Sequence, residues 1–371
     1  MREGWEIKKL GEVCTFQRGL TYTKSDEVEF SENCVLRSNN IDLDTMSIVL
    51  NDLKYVRKDL IIGEDKIIKP NTILICMSNG SKQHIGKVAF IDRDYGYAFG
   101  GFMGLIIPRP TVFPKYIYYG CLSPSYKHFL AGIGNGINIT NLKFSDLANY
   151  AIPIPPLSEQ KRIVAELDLL SEVIAKKREQ LTQLDALAQS LFYTMFGDPI
   201  TNEKGWETKK FGDCYKLTSG QGLSAKSILG GEYPVYGGNG IVGYHYSYNL
   251  DGENIIIGRV GALCGNVRNL IGKVFITDNA FILTKKIENI NIFLLYLLRL
   301  HNLRKYAREA MQPVISNSGL KNILIILPPL ALQQQFAEKI EAIEQQKERI
   351  RQSLAEVQLL FDSRMDYYFN N

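Results

Sequence analysis

The chain of 371 residues lacks the segments that place a protein in a membrane or outside a cell. No run of eighteen apolar residues occurs, so no helix is expected to span a bilayer. Residues 1–4 do not begin a signal peptide. The six cysteines contain no C-x-x-C pair, which is typical of reduced, scattered thiols. We therefore expect a soluble, cytoplasmic protein with no membrane partner.

The motifs of methylation and of ATP hydrolysis are also missing. The chain contains neither an N-P-P-[FY] motif nor a G-x-x-x-x-G-K-[ST] phosphate loop. Its four histidines are far apart, which predicts no metal site. Gly258 and Gly261 are spaced as in some nucleotide-binding loops, but the helix that should follow is absent, so a strand-to-turn role is favoured. We predict a non-catalytic chain with no cofactor of its own.

A strong charge of one sign is lacking too. The 43 Lys and Arg against 39 Asp and Glu give a net charge of +4, which permits a polyanionic partner without identifying one. A hydrophobic content of 45% and a charged content of 22% are typical of folded domains. The length predicts two to three of them.

A long helix is predicted over residues 154–197. Pro155 and Pro156 fix its start, and Ser158 offers an N-cap. Apolar residues then recur at alternating spacings of three and four, as in a coiled coil, with Lys177 as the one interruption. The predicted core positions are Ile163, Leu167, Leu170, Ile174, Leu181 and Leu184.

A second long helix is predicted over residues 327–371, and it opens with the same Pro-Pro-Leu. A single lysine, Lys347, again interrupts the stripe, where it either sets the register or extends its ammonium group to water. The shared start favours two duplicated helices that pair with each other, and the alternative is two unrelated amphipathic helices on separate cores. The predicted core positions are Phe336, Ile340, Ile343, Ile350, Leu354 and Val357.

An internal repeat covers the chain. Residues 4–12, GWEIKKLGE, return as GWETKKFGD at 205–213, and the chain's two tryptophans lie in these segments. The chain is therefore two copies of one unit, a mixed domain followed by a long helix. From Gly-Trp-Glu to Pro-Pro the first copy spans 151 positions and the second 123, a difference of 28.

Short apolar runs predict that both domains are rich in buried strands. Helical stretches are expected near residues 116–130 and 292–311. The fold class is α+β, with domains at 1–153 and 198–326 separated by the helices at 154–197 and 327–371. The strands are expected at 72–75, 88–91 and 103–107 in the first copy, and at 255–257, 274–276 and 281–283 in the second.

Over nearly its whole length the sequence resembles the specificity subunits of type I restriction–modification systems. The resemblance depends on the repeated Gly-Trp-Glu segment, on Ile-Pro-Pro-Leu-Ser-Glu-Gln-Lys-Arg-Ile at 154–163, on Met-Phe-Gly-Asp-Pro at 195–199, and on the glycine- and tyrosine-rich run at 233–244. The chain departs from the pattern at the second helix start, where Ala331 and Leu332 replace Ser158 and Glu159.

The resemblance implies two target-recognition domains, each of which reads one half of a bipartite, asymmetric site in double-stranded DNA. It implies an antiparallel coiled coil in which the two helices set the spacer between half-sites and dock two methylation subunits, which restriction subunits then join. S-adenosylmethionine is expected as the cofactor of the methylation subunit, and ATP and Mg of the restriction subunit.

Candidate DNA contacts lie in glycine- and tyrosine-rich loops, which can approach a groove closely. Arg259 and Arg268 follow a strand and are candidates to read guanine, whereas a predicted helical stripe after His301 suits phosphates. The alternatives are tyrosines on a half-buried sheet face and a solvated helix face. The candidates are Arg37, Asn39, Asn40, Lys82, Gln83 and Lys87 in the first domain, and Asn239, Tyr244, His245, Tyr246, Arg259, Arg268, Arg304, Lys305 and Arg308 in the second.

Three other functions stay open at this point. One is the specificity subunit of a type IIB-like system, whose partner fuses methylation and cleavage. Another is a restriction enzyme that recognises and cleaves in one chain, which methyl transfer by the isolated protein would reveal. The third is a coiled-coil adaptor without DNA specificity, which two diverged domains argue against.

Overall fold

The computed structural model describes residues 3–133, 141–228, 230–308 and 311–370. The chain divides into two compact units. Unit 1 is Met1–Lys176 with Ser353–Asn371, and unit 2 is Lys177–Gln352. Each unit therefore holds one strand-rich domain, the beginning of one long helix and the end of the other. Within the described ranges, no helix has both the length and the apolar character that a membrane span requires.

Unit 1 contains a domain of short strands and helices. Its strands are β1 Glu6–Lys9, β2 Cys14–Arg18, β3 Glu27–Val28, β4 Asn33–Leu36, β5 Lys54–Val56, β6 Thr72–Cys76, β7 Val88–Ile91, β8 Ala98–Phe99, β9 Met103–Pro108 and β10 Ala151–Ile154. Its helices are α1 Leu10–Val13, α2 Pro114–Gly120, α3 Pro124–Gly132 and α4 Phe144–Leu147, followed by the long α5 Leu157–Phe196. One sheet has the order β2-β9-β6-β7, a second has the order β3-β5-β4-β8, and β1 pairs with β10.

Unit 2 repeats this architecture. Its strands are β11 Thr208–Lys210, β12 Tyr215–Ser219, β13 Tyr233–Gly237, β14 Gly240–His245, β15 Asn254–Gly258, β16 Val267–Leu270, β17 Phe275–Ile276, β18 Ala280–Lys285 and β19 Leu324–Ile326. Its helices are α6 Phe211–Cys214, α7 Asn291–Leu300, α8 Asn317–Leu320 and the long α9 Leu330–Phe369. The sheets have the orders β12-β18-β15-β16 and β14-β13-β17, and β11 pairs with β19. The predicted buried strands of both copies are confirmed, with shifts of one or two residues at their ends.

Most of the extra length of the first copy lies between β2 and β6. This connection runs from Arg18 to Thr72 in unit 1, whereas its equivalent in unit 2 runs from Ser219 to Asn254. The longer segment carries β3 and β5, which pair beside β4, whereas the shorter one forms the β13–β14 hairpin. The two domains therefore share one four-stranded sheet and differ mainly in the second sheet.

A buried glutamine fixes the start of each long helix to its domain. Gln160 is 1% exposed, accepts from the Phe113 backbone N–H at 2.7 Å and donates to the Pro155 carbonyl at 2.8 Å. Gln333 does the same in unit 2, between the Ile290 N–H at 3.0 Å and the Pro328 carbonyl at 2.8 Å. The predicted N-cap at Ser158 is wrong, because α5 begins at Leu157 and the serine lies exposed in its first turn.

The two long helices pack against each other in opposite directions. In unit 1, Arg162 near the start of α5 donates to the Tyr368 hydroxyl near the end of α9, at 3.2 Å. In unit 2, Asp185 in the later half of α5 pairs with Lys347 of α9, at 2.6 Å. This is the antiparallel pairing that the family resemblance implies.

Each long helix ends inside the core of the other copy's domain. Phe196, the last residue of α5, lies 4.8 Å from the Phe293 ring in the core of unit 2. Phe369, the last residue of α9, lies 4.9 Å from the Tyr116 ring in the core of unit 1. Both end residues are fully buried, so the domains are completed by the helix ends as well as by their own strands.

The predicted core positions of the two long helices, which form the seam between them, are all buried or half-buried. Six of them are buried, namely Ile163, Leu167, Ile174, Phe336, Ile340 and Ile343. The other six are half-buried, namely Leu170, Leu181, Leu184, Ile350, Leu354 and Val357.

Lys347 is a charged residue inside this seam. Its side chain is 8% exposed, and its ammonium group lies 2.6 Å from both Asp185 and Glu344. Burial lowers the pKa of Lys347, but the hydrogen bonds and charges of the two carboxylates outweigh this, and the net shift is upward. The lysine is therefore held as a charged group at one register of the helix pair, whereas its counterpart in the repeat is the apolar Ile174.

Candidate nucleic-acid interface

Three loops of unit 1 meet and form one surface, which we call loop site 1 (residues 37–40, 77–86 and 100–102). The Gly100 N–H donates to the Leu36 carbonyl at 2.9 Å, which joins the first and third loops. The Asn79 side chain donates to the Ser38 hydroxyl at 2.8 Å, which joins the first and second. The Phe102 carbonyl accepts from the Met77 N–H at 2.9 Å, which joins the second and third. Two backbone bonds and one side-chain bond therefore join the three loops.

The equivalent loops of unit 2 form loop site 2 (residues 238–240, 259–266 and 277–279). The Thr277 N–H donates to the Tyr236 carbonyl at 3.0 Å, and the Arg259 N–H donates to the Asn279 carbonyl at 2.8 Å. Gly258 lies against the Gly238 carbonyl so closely that a Cβ atom would clash there. The two loop sites therefore have the same backbone frame, although they carry different side chains.

A glycine at the same place in each domain allows this frame to form. Gly19 follows β2, and a Cβ atom on it would overlap the Gly100 and Phe99 carbonyl oxygens. Gly220 follows β12, and a Cβ atom on it would overlap the Ile276 and Thr277 carbonyl oxygens. Only glycine fits such a close backbone approach.

Two of the candidate contacts in unit 1, Arg37 and Asn39, share one acidic partner at loop site 1. Arg37 Nη2 lies 3.1 Å from the Asp52 carboxylate, and the Asn39 amide donates to the same carboxylate at 2.5 Å. Asp52 has a left-handed backbone, with φ of 51°, and its side chain is 75% exposed. The carboxylate orients both donors, and it also reduces the attraction of this corner for a phosphate.

Two other candidates in unit 1 serve the fold instead. Asn40 is fully buried and donates to the Val49 and Asn51 carbonyls. Lys87 is 5% exposed and donates to the Ile41 carbonyl at 2.7 Å, and burial lowers its pKa. The predicted DNA contacts at Asn40 and Lys87 are therefore wrong, because neither side chain reaches the surface.

The remaining candidates of unit 1, Lys82 and Gln83, are exposed in the second loop of the site. The structure adds a residue that sequence reasoning missed. Phe102, in the third loop, is 74% exposed. The only signal for it in the sequence is the Gly-Gly-Phe turn between two apolar strands, where the alternation predicts no side-chain direction.

Arg259 is the best-oriented basic group at loop site 2. Its Nη1 atom donates to the Ser219 hydroxyl at 3.1 Å, and its guanidinium carbon lies 5.3 Å from the centre of the Phe281 ring. Arginine stacks on aromatic faces and offers several donors in one planar fork. This geometry suits bidentate recognition of a guanine edge.

Arg268 holds the turn of the β13–β14 hairpin in place. Its Nη2 atom donates to the Asn239 carbonyl at 3.0 Å, while the Asn239 side chain is exposed. The other candidates on this hairpin lie towards its far end, where Tyr233 pairs with His245. Tyr244 pairs with Pro234, and Tyr246 follows the end of β14, so both are separated along the hairpin from its turn at Asn239. Tyr244 is 48% exposed and Tyr246 is 76% exposed.

Basic residues after α7 lie beside loop site 2. The Gly261 N–H donates to the Pro313 carbonyl at 3.1 Å, and Gly265 packs against the backbone of Arg304. Arg304, Lys305 and Arg308 are exposed. A pocket of about 260 Å³ opens here, lined by Asn302, Arg304, Lys305, Ala307 and Pro313.

The helical stripe predicted for these basic residues is wrong. Helix α7 ends at Leu300, and Asn302 adopts a left-handed backbone with φ of 49° before a short 3-10 turn at Leu303–Tyr306. His301 is 3% exposed, and burial, with Lys305 nearby, lowers its pKa to about 4. The exposed cations therefore belong to an irregular segment, and His301 belongs to the core.

No group of three or more histidine, cysteine or acidic side chains that could hold a metal ion occurs among the described residues. The cysteines are all free and buried.

Comparison with known proteins identifies the repeated architecture. The family model for the type I restriction modification DNA specificity domain matches residues 2–185 and 203–359. The type I restriction enzyme StySPI specificity subunit of Salmonella potsdam is 27% identical over 386 residues, which cover 92% of this chain and 82% of that protein. The EcoKI specificity subunit of Escherichia coli K12 is 31% identical over 204 residues, which cover 54% of this chain and 43% of that protein.

Solved structures show the same fold. The type I restriction–modification S subunit from M. genitalium superposes with a TM-score of 0.62 at 16% identity, covering 99% of this chain and 96% of that one. A chain from a study of the assembly and conformational transition of the type I R-M system superposes with a TM-score of 0.58 at 19% identity, covering 99% and 97%. Because the family model matches both copies of the repeat, the chain belongs to the family of type I restriction–modification specificity subunits.

Proposed function

We propose that each domain of this specificity subunit reads one half of a bipartite, asymmetric site in double-stranded DNA. The observation that supports this is the pair of loop sites, which share one backbone frame and differ in their side chains. A shared frame suits one docking geometry on the duplex, and different side chains suit two different sequences. The subunit itself carries out recognition and catalyses no reaction.

The basic residues beside loop site 2 are proposed to contact the DNA backbone. Arg304 and Lys305 are exposed at the rim of the pocket, and Arg308 is exposed close by. Exposed cations in an irregular segment contribute sequence-independent attraction to phosphates and position the domain on the duplex. Arg259 and Asn239, which lie in the loops, are the proposed contacts to base edges.

The outer faces of the long helices are proposed to dock two methylation subunits, which restriction subunits then join. Leu187 of α5 is 52% exposed and Leu360 of α9 is 45% exposed. The two leucines are equivalent in the repeat, because each lies 32 residues after the first proline of its Pro-Pro pair, Pro155 or Pro328. Equivalent exposed leucines on two equivalent helices suit two copies of one partner. We propose that this chain holds no cofactor, that the methylation subunit uses S-adenosylmethionine, and that the restriction subunit uses ATP and Mg.

The family and the relatives favour type I over the type IIB-like alternative. They also argue against a non-specific adaptor, because the matching model describes a DNA specificity domain in both copies.

The experiment that tests this function is a base-resolution methylome of the host in three states: with the gene, without it, and with a four-residue insertion after Leu181. We expect one bipartite motif that disappears without the gene. Four residues add ~6 Å of helix and shift the seam by about one turn, so the insertion should lengthen the spacer by about one base pair and leave both half-sites unchanged. An unchanged spacer would show that the helices do not set it.

Arg259→Ala is expected to relax one position in the half-site that unit 2 reads, at a cost of roughly 1–3 kcal/mol in binding. Arg259→Lys is the matched variant, because it keeps the charge but loses the planar fork. It should lose the same discrimination while keeping its affinity for unrelated DNA. Competition binding by the assembled complex measures both quantities. An equal loss on all sequences would assign Arg259 to a phosphate instead.

A further inference from the structure

Phe102 is an exposed aromatic residue on a fixed backbone. It lies in the turn between β8 and β9, and its side chain is 74% exposed. Its carbonyl oxygen accepts from the Met77 N–H at 2.9 Å and from the Ser78 N–H at 3.1 Å. The turn therefore cannot easily rotate to bury the ring. A large apolar side chain is thus exposed to solvent where the second and third loops of loop site 1 meet.

The same backbone position in unit 2 is occupied by Asn279. The equivalence follows from the hydrogen bonds, since Asn279 accepts from the Arg259 N–H as Phe102 accepts from the Met77 N–H. The following residues, Met103 and Ala280, likewise accept from Gly19 and Gly220. Asn279 is also exposed. One position of the shared frame therefore presents an apolar ring in one domain and an amide in the other.

The two side chains suit different base features. A phenyl ring contacts the methyl group of thymine or inserts between base pairs, whereas an asparagine amide makes a bidentate contact with adenine. The phenyl ring of Phe102 has no donor for a phosphate, whereas the Asn279 amide can donate to a phosphate as well as to a base, so the test must distinguish these two contacts for Asn279. The polar groups around Phe102, such as Lys82 and Gln83 in the neighbouring loop, remain exposed for the DNA backbone.

We propose that this equivalent position determines specificity in both domains, with Phe102 making an apolar contact with a base of one half-site and Asn279 pairing with a base edge of the other. The proposal rests on the proposed function, since it assumes that the loop sites face DNA. It adds the identity of the two side chains that distinguish the bases, Phe102 and Asn279.

The test uses the complex of this subunit with its methylation subunits, and compares binding of the methylated-site sequence with binding of a scrambled duplex at one salt concentration. Phe102→Ala is expected to weaken specific binding by about 10- to 100-fold and to leave scrambled binding unchanged. Phe30→Ala is the matched control, because Phe30 is 78% exposed in unit 1 but lies outside loop site 1. It should change neither.

Two modified duplexes distinguish a Phe102 contact with a thymine methyl group from its insertion between base pairs. In the first, uracil replaces each thymine of the half-site in turn. If Phe102 contacts a methyl group, one uracil should weaken the wild type and have no effect on Phe102→Ala. If it inserts between base pairs, 2-aminopurine at one step should fluoresce more with the wild type than with the variant. Asn279→Ala should relax a position in the other half-site only.

Equal binding by the Phe102→Ala and Phe30→Ala complexes, or the same fractional loss on scrambled DNA, would overturn the proposal. A wild-type complex that does not distinguish its site from scrambled DNA would instead overturn the proposed function. The two failures are therefore distinguishable.

Discussion

Replacing residues 36–143 by the matching segment of another family member is expected to change one half of the methylated site and leave the other half unaltered. The segment contains all three loops of loop site 1 and no residue of unit 2. It leaves β10 and the Gln160 contact with Pro155 in place, although Phe113, the other partner of Gln160, comes from the donor. A donor segment that supplies a backbone N–H at the position equivalent to Phe113 should therefore fold on this scaffold.

A base-resolution methylome of the host measures the result, with the reciprocal exchange of residues 238–315 as the control for the other half. The two exchanges should alter different halves of the motif. A change in both halves, or in neither, after either exchange would contradict the assignment of one half to each domain.

Asp185→Lys is expected to destabilise the helix pair strongly, because it places a second cation beside the buried Lys347. The expected cost lies between the roughly 1 kcal/mol of an exposed pair and the roughly 3–5 kcal/mol of a fully buried one, since Lys347 keeps Glu344 as a partner. Adding Lys347→Ile should restore most of the stability, because isoleucine is the residue that the repeat carries at the equivalent position, Ile174.

Denaturant unfolding measures these differences, and Glu172→Lys is the matched control. Glu172 pairs with Lys176 at 2.6 Å on the same helix, but both side chains are at least 60% exposed. That reversal should cost at most about 1 kcal/mol. If Asp185→Lys costs no more than Glu172→Lys, the pair at Lys347 does not fix the register.

The long helices and the buried strands are predictable from sequence because their signals are local and periodic. Heptad spacing locates the seam that includes Ile163 and Phe336, and short apolar runs locate β6 and β15. The exact start of α5 is less predictable. Ser158 has the residue type of an N-cap, but Gln160 fixes the start of the helix by its contact with the domain. A contact with residue 113 has no local signature.

The loop sites are not predictable in this way because their residues are distant in sequence. Arg37 and Lys82 were candidates by residue type, and so were Asn40 and Lys87, which the fold buries. Residue type does not report burial when the segment has no periodic pattern. The left-handed Asn302 broke the expected stripe for a similar reason, since one residue's backbone angle ended the helix. Sequence reasoning does not identify Phe102 as a surface residue, because a lone apolar residue beside an apolar strand is indistinguishable from a residue of that strand.

The closing of unit 1 by the end of α9 has a consequence for the order of events during synthesis. The core of unit 1 includes Met365, Tyr368 and Phe369, whereas unit 2 needs no residue beyond Gln352. A ribosome makes the chain from its amino end, so the domain that is translated first must wait for residues translated after the whole of the second. Unit 2 can therefore complete its core while unit 1 still exposes apolar surface. The nascent first domain is the one that a chaperone would bind for longest.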